Sequence, residues 1–230
     1  MSGILCAAPG TLLATAAAAN ITYVTSATNT AAGGTTISVT MPTITAGDVA
    51  FFLLGKSSNG AIATAPTGFT LISTLSNGTN NGASLWYKVL TGSESGTAYT
   101  VTTSVSADAW AAAIIIYRGA NATPLDATPT TATFTSGTSY SYPTITTVTA
   151  NSRIVRFATS RRGTAPATYT PPSTPAHVER FDIGIFNNLS ADQITACDYL
   201  PGSTGATGTA TGTLSAAAAG IMFTVALKPA

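Results

Sequence analysis

Few residues of this chain are of types that perform chemistry, and they are scattered. His177 is the only histidine, in the stretch AHVERFD, where strand alternation places His177 and Glu179 on one face and Asp182 on the other. Two such ligands would permit a metal site, but a solvated strand edge is the favoured interpretation. Cys6 and Cys197 lie far apart in the sequence, which gives neither a disulfide framework nor a metal cluster. We expect buried or incidental thiols.

The other candidates for chemistry also have simpler interpretations. Asp108 and Asp126 have no recognisable partner carboxylate at glycosidase spacing, so we expect roles in turns or caps. Trp86 and Trp110 would suit sugar stacking, but they lie in apolar strands and are predicted to be core residues. The run GSTGATGTATG at 202–212 lacks the Lys-Ser/Thr of a phosphate loop and is predicted to be a plain loop. We therefore predict no catalytic, cofactor-binding or metal-ligating residue and no enzyme.

Composition excludes further classes of function. Charged residues make up 7% of the chain and the net charge is +1, against roughly 25% charged residues in an ordinary domain. Nothing in this balance favours nucleic acid. The one local excess of charge is predicted to be solvated at strand ends, with a patch for an acidic partner as the alternative; it comprises Arg153, Arg156, Arg161, Arg162 and Arg180. No apolar run approaches the roughly 18 residues needed to cross a bilayer. The N-terminus lacks the basic region of a secretory signal, which predicts a protein made without secretion.

Short strands with alternating apolar residues account for most of the chain. The stretch TTISVTM alternates cleanly, and the run from Asp48 to Lys56 is apolar on both faces, as in a central strand. Residues 120–145 are predicted to be a connection with one strand around Ser139 to Ile145. The strand spacing and the absence of helical periodicity predict an all-β, antiparallel β-sandwich of jelly-roll type.

The chain also repeats itself. The unit at 47–119 returns in degraded form at 151–228, which predicts pseudo-repeated halves within a single domain over 21–230. Residues 1–20 are apolar and rich in alanine, and they are predicted to form a short N-terminal arm held by a partner or neighbour.

Four segments carry a resemblance to a known family: GDVAFFLL, APTGFTLIST, LWYKVLTGSESGTAYTV and WAAAIIIYRGA. Together they resemble a repeated, concanavalin-like jelly-roll module of tailed-phage virion proteins and some bacterial surface proteins. The resemblance covers about 47–228, and the second half keeps only the outlines: it lacks the tryptophan of the closing strand and the Y-R-G. It implies roles in capsid decoration, tail or fibre structure, or glycan adhesion. It transfers no catalytic residue.

The leading hypothesis is therefore a non-enzymatic structural protein of the virion, a capsid decoration or head-fibre component. Its expected partners are capsid or tail proteins and copies of itself, with a trimer favoured and the N-terminal arm as the docking element. The alternative is a carbohydrate-binding adhesion module of a tail tip or cell surface, which would use exposed aromatics and the loops 57–66, 76–83 and 163–175. A glycan hydrolase on the same fold ranks third.

Overall fold

The computed structural model describes residues 20–79 and 81–230 and contains strands throughout. Seventeen strands follow one another along the chain, in this order: β1 (Thr22–Ala31), β2 (Thr36–Thr40), β3 (Val49–Lys56), β4 (Ile62–Thr64), β5 (Thr70–Ser76), β6 (Gly82–Val89), β7 (Ala98–Thr103), β8 (Trp110–Arg118), β9 (Ala120–Leu125), β10 (Thr130–Tyr142), β11 (Thr146–Thr147), β12 (Arg153–Arg162), β13 (Tyr169–Thr170), β14 (Val178–Phe186), β15 (Ala191–Tyr199), β16 (Gly205–Ala206) and β17 (Ala210–Pro229). No helix among the described residues is long and apolar enough to cross a membrane.

Two antiparallel sheets, of five and seven strands, form the centre of the molecule. Five strands of the second sheet follow the same order as the strands of the first, and β9 and β13 pair with β17 outside that path. The first sheet runs β1-β8-β3-β6-β5, and the second runs β10-β17-β12-β15-β14. Each strand of the first sheet thus has a counterpart at the same place in the second: β1 corresponds to β10, β8 to β17, β3 to β12, β6 to β15 and β5 to β14. The repeat therefore begins earlier than residue 47, because the edge strands β1 and β10 belong to it.

Each central sheet is covered on its outer face by a smaller antiparallel sheet. In the first half this outer sheet is β2-β7-β4. In the second half the C-terminal part of β10 pairs with the N-terminal part of β17, which also pairs with β13. The hydroxyls of Ser38 and Thr100 lie 2.6 Å apart across β2 and β7, and those of Ser141 and Thr211 lie 2.7 Å apart at the equivalent place. In the second half, the single long strand β10 therefore takes the places of β1 and β2, and β17 takes the places of β7 and β8.

The main core lies between the two central sheets. It forms because β3 and β12 turn apolar side chains toward each other. The rings of Phe51 and Phe157 meet there, with centroids 5.4 Å apart. Both side chains are fully buried, as are Leu53, Ile115 and Phe223 around them. Two packed sheets with one shared core confirm the predicted β-sandwich.

A second core fills the space between the first central sheet and its outer sheet. The predicted alternation in β2 holds, since Ile37 and Val39 face inward. Trp86 and Trp110 are 2% and 0% exposed in this core, which confirms that they are core residues. Strand β3 is buried on both faces because it has a sheet on each side.

The predicted connection over 120–145 is wrong for most of its length, although the strand predicted around Ser139 to Ile145 overlaps the end of β10. Residues 130–142 form the long edge strand β10, preceded by β9. Threonine is β-branched and favours strands, but β10 places few apolar residues inward, among them Phe134 and Tyr140. Its alternation is also broken by register shifts near Gly137. The Gly-rich run at 202–212 is likewise not wholly a loop, because β16 interrupts it and its last residues open β17.

All four edge strands of the central sheets carry irregularities in their pairing. Register shifts occur in β1, β5, β10 and β14. The central pairings of β3 with β6 and β8, and of β12 with β15, are regular. Bulges at an edge discourage pairing with another chain. Edge strands are often protected from such pairing by lysine side chains, and in this chain, which has few charges, the bulges serve instead.

The predicted N-terminal arm lies outside the described residues, apart from Asn20. The next residue, Ile21, is fully buried, and its carbonyl accepts a 2.7 Å hydrogen bond from Nε of Arg153.

Candidate functional site

Almost every charged side chain of this protein is buried or half-buried. The chain has nine basic and eight acidic residues, all within the described part, and three of them are exposed: Asp108, Arg118 and Glu179. Arg118 is itself paired with Asp48. The surface therefore consists mainly of neutral hydroxyl, amide and small residues.

The segments that carry the family resemblance form two structural clusters. Asp48 follows Gly47, Arg118 precedes Gly119, and the guanidinium donates to both oxygens of Asp48, at 2.7 and 2.8 Å. Both glycines have positive φ, 85° and 87°, which side chains rarely tolerate. The G-D and Y-R-G segments thus join the start of β3 to the end of β8, and neither supplies a free reactive group.

The second cluster closes the turn between β6 and β7. Lys88 lies 3.2 Å from both Glu94 and the hydroxyl of Tyr99. Glu94 also accepts backbone hydrogen bonds from Thr91 and Gly92. The G-S-E-S-G segment is therefore a capped turn.

The predicted solvation of the arginines is wrong. Arg153 and Arg180 both donate to Asp198, which is fully buried between the two central sheets, at distances of 2.7–2.9 Å. The hydroxyl of Tyr117, from the other half, donates to the same carboxylate at 2.7 Å. This Asp198 cluster links the two halves. The side chains of Arg153 and Arg180 can lie there because the carboxylate of Asp198 balances their charge and accepts their hydrogen bonds.

The remaining arginines are also held by the protein. Arg156 is 0% exposed and lies beside the rings of Tyr142 and Tyr199. Arg161 donates to the hydroxyl of Ser190 at 2.8 Å, and Arg162 donates to a backbone carbonyl at 2.8 Å. The alternative interpretation, a patch for an acidic partner, gains no support because four of these five arginines are half-buried and Arg156 is buried.

The prediction that His177 lies on a solvated strand edge is wrong, because this side chain is only 9% exposed. Its ring packs on Tyr199, with centroids 4.4 Å apart, because the segment 163–177 folds back over the second central sheet. Glu179 is exposed and Asp182 accepts hydrogen bonds from Tyr169 and Gln193. Within the described residues, no group of three or more His, Cys, Asp or Glu side chains is placed to hold a metal ion.

The other candidates are structural too. Burial raises the pKa of Cys197 to about 12, so this thiol is not a nucleophile near neutral pH. Cys6 lies outside the described residues. Asp126 accepts hydrogen bonds from the backbone of Val148 and Thr149, which confirms its predicted role at a turn. Asp108 lies near the hydroxyl of Ser190, at 3.5 Å.

Asp192 is the one fully buried carboxylate whose two oxygens have no hydrogen-bond partner among the described residues. It lies on the inner face of β15, next to Arg161 on β12, and it packs over Gly55. A Cβ on that glycine would approach Oδ1 of Asp192 to 2.7 Å. Burial raises the pKa of Asp192 well above its ordinary value, because an ion loses its hydration there.

Asp192 is therefore expected to make stability fall as pH rises. The unfolded chain ionises this carboxyl near its ordinary pKa of 3.8, whereas the folded chain keeps the proton to higher pH. Each unit of pKa elevation lowers the free energy of unfolding by about 1.4 kcal/mol above both pKa values. Asp192→Asn removes this term, so its stability relative to the wild type is expected to grow between pH 4 and pH 7. Urea unfolding at both pH values measures it; a constant difference would contradict the burial argument.

A shallow groove of about 360 Å³ lies between β6 and β9. Its lining includes the half-buried Tyr87 and the exposed Thr70 and Thr123, with Lys88 at one side. An aromatic ring beside hydroxyls and a single cation suits a neutral polyhydroxyl ligand more than a charged one.

The loops predicted to bind glycans are held mainly by hydrogen bonds and core contacts within the protein. Asn77, in the loop 76–83, donates to the carbonyls of Phe134 and Gly220 in the other half, at 2.9 and 3.0 Å. The segment 163–175 places Tyr169 in the core of the second half. The loop 57–66 contains β4 and is held by Lys56, whose amine donates to two carbonyls of that loop.

Two features of the interior escaped the sequence analysis: the Asp198 cluster and the unpartnered Asp192. A signal for both existed in the stretch ADQITACDY. Strand alternation places Asp192 and Asp198 on the same face as Ile194 and Ala196, at the two ends of one apolar row.

Comparisons of the chain with protein families, with curated proteins and with solved structures each gave no match.

Proposed function

We propose that the protein is a non-enzymatic structural component of a bacteriophage particle, a capsid decoration or head-fibre protein that assembles on the particle surface. Its partners are capsid or tail proteins and copies of itself, as a trimer. The observation that carries the proposal is the surface almost free of charge, since three of its charged side chains are exposed. A neutral surface offers no electrostatic repulsion between identical copies, and low net charge promotes association.

Two further observations support a structural role. Most acids and bases of the described chain cap turns, pair with one another or lie buried. Lys88, which lines the groove, is paired with Glu94 and is therefore not free to act as a base. Except for β5 and β6, which lie in the same sheet, successive strands of the first half alternate between the larger and the smaller sheet. This order supports the finer assignment to a jelly roll, the eight-stranded architecture of many capsid proteins.

The proposal is tested by size-exclusion chromatography with light scattering on the full chain and on a version without residues 1–20. A trimer whose mass is the same at low and high salt is expected, because contacts between neutral surfaces are not screened. Thr100→Lys and Thr211→Lys place a charge on the two equivalent outer sheets, and the variant that loses mass identifies the associating face. A monomer in all samples would contradict self-assembly.

The alternative is a carbohydrate-binding adhesion module, and the observation that favours it is the groove beside Tyr87. Tyr87→Ala would then abolish binding on a glycan array, whereas Val105→Ala, an exposed apolar residue elsewhere, would leave it intact.

A further inference from the structure

Arg156 is a fully buried cation without an acidic partner. It lies in the middle of β12, on the outer face of the second central sheet, and is 0% exposed. No carboxylate of the described residues forms an ion pair with it. An uncompensated charge inside a protein is costly, so this position favours any group that brings a negative charge.

The guanidinium is loosely held. Its Nη1 donates to the carbonyl of Tyr142 at 3.5 Å, and its Nη2 donates to the hydroxyl of Thr207 at 3.4 Å and the carbonyl of Gly208 at 3.3 Å. All three exceed the usual length of about 2.9 Å. The Nε atom is buried and has no partner among the described residues. A strong donor therefore remains free.

His177 brings a second unpartnered nitrogen to the same cluster. Its ring and the guanidinium of Arg156 both pack on Tyr199, with the ring centroids 4.4 Å apart and Cζ of Arg156 5.8 Å from the tyrosine centroid. Nδ1 lies 2.7 Å from the carbonyl of Pro175, which only accepts, so Nδ1 carries the proton. Nε2 is buried without a partner, and it becomes a donor when the ring is protonated.

We propose that Arg156 and His177 form a buried site for a small monovalent anion of the size of chloride. Nε of Arg156 donates to the anion, and protonated Nε2 of His177 donates to it from the side of the segment 163–177. The anion enters past Thr207 and Gly208, where the guanidinium approaches an exposed loop. The site is independent of the proposed structural role.

Anion binding can be observed through the pKa of His177, which depends on the groups around its ring. Burial lowers the pKa of His177, and the charge of Arg156 lowers it further, while Asp198 raises it. The titratable groups on the same face as the ring and the guanidinium come from four strands: Tyr142, Arg156, Glu179, Cys197 and Tyr199. Asp198 lies on the opposite face of β15. An anion beside Arg156 offsets its charge, so chloride raises the pKa of His177 and binds more tightly at lower pH.

Because the chain has one histidine, proton NMR of the full-length protein follows this residue directly. The pKa of His177 is measured in sodium chloride and in sodium gluconate at equal ionic strength. The expected result is a pKa higher by about half a unit or more in chloride, with a shift that saturates as chloride increases. Equal values in the two salts, or a shift that does not saturate, would overturn the proposal.

Variants separate the site from general salt effects. Arg156→Gln is expected to remove the chloride dependence, and Arg162→Gln, at an arginine bound only to a backbone carbonyl, to retain it. Should Arg156→Gln not fold, the salt comparison on the wild type stands alone. Chloride dependence that appears only in Glu179→Gln would show that Glu179 compensates Arg156 in solution, which would also overturn the proposal.

Discussion

Asp198→Ala is expected to lower the free energy of unfolding by about 3–5 kcal/mol, the usual cost of removing one partner from a buried ion pair. The carboxylate accepts hydrogen bonds from Arg153, Arg180 and Tyr117, and it is fully buried. Without it, two guanidinium groups remain between the sheets with no counter-charge. Urea unfolding at neutral pH measures the loss.

The matched control is Asp108→Ala, which removes a carboxylate that is exposed. Its expected effect is within about 0.5 kcal/mol, as for most surface substitutions. Asp198→Asn keeps an acceptor of the same shape but removes the charge, so it is expected to fall between the two. If Asp198→Ala and Asp108→Ala were equally stable, the Asp198 cluster would not hold the two halves together.

The architecture could be predicted from the sequence because it depends on alternation. Residues such as Ile37 and Val39, or Phe51 and Phe52, indicate which faces are covered before any contact is known, and the structure confirms the sandwich. The strand β10 could not be predicted in the same way. Its partner β17 is far away in the sequence, and pairing of that kind depends on the tertiary context rather than on local pattern.

The polar interior could be predicted least. An arginine in a strand is usually solvated, and nothing local distinguishes Arg153 and Arg180 from surface residues. Their burial depends on Asp198, which lies on a neighbouring strand but many residues away in the sequence, and on Tyr117 from the other half of the chain. The same holds for His177, which is covered because the segment 163–177 crosses the sheet.

Phe157→Ala is expected to cost about 3–5 kcal/mol and to leave unfolding as a single transition. Phe157 is fully buried where the two central sheets meet, against Phe51 of the first half. Neither sheet can bury its inner face without the other, so a cavity at this contact should weaken both halves together. The prediction that 21–230 is one domain is tested in the same experiment.

The measurement combines urea unfolding followed by tryptophan fluorescence with unfolding followed by far-ultraviolet circular dichroism. Both tryptophans lie in the first half, in the core away from Phe157, so fluorescence reports the half that does not carry the substitution. Coincident curves shifted to lower urea are expected, and Leu71→Ala, at a side chain 52% exposed, should shift neither. A fluorescence transition that stays at the wild-type midpoint would mean that the first half folds independently, and the chain would then consist of two domains.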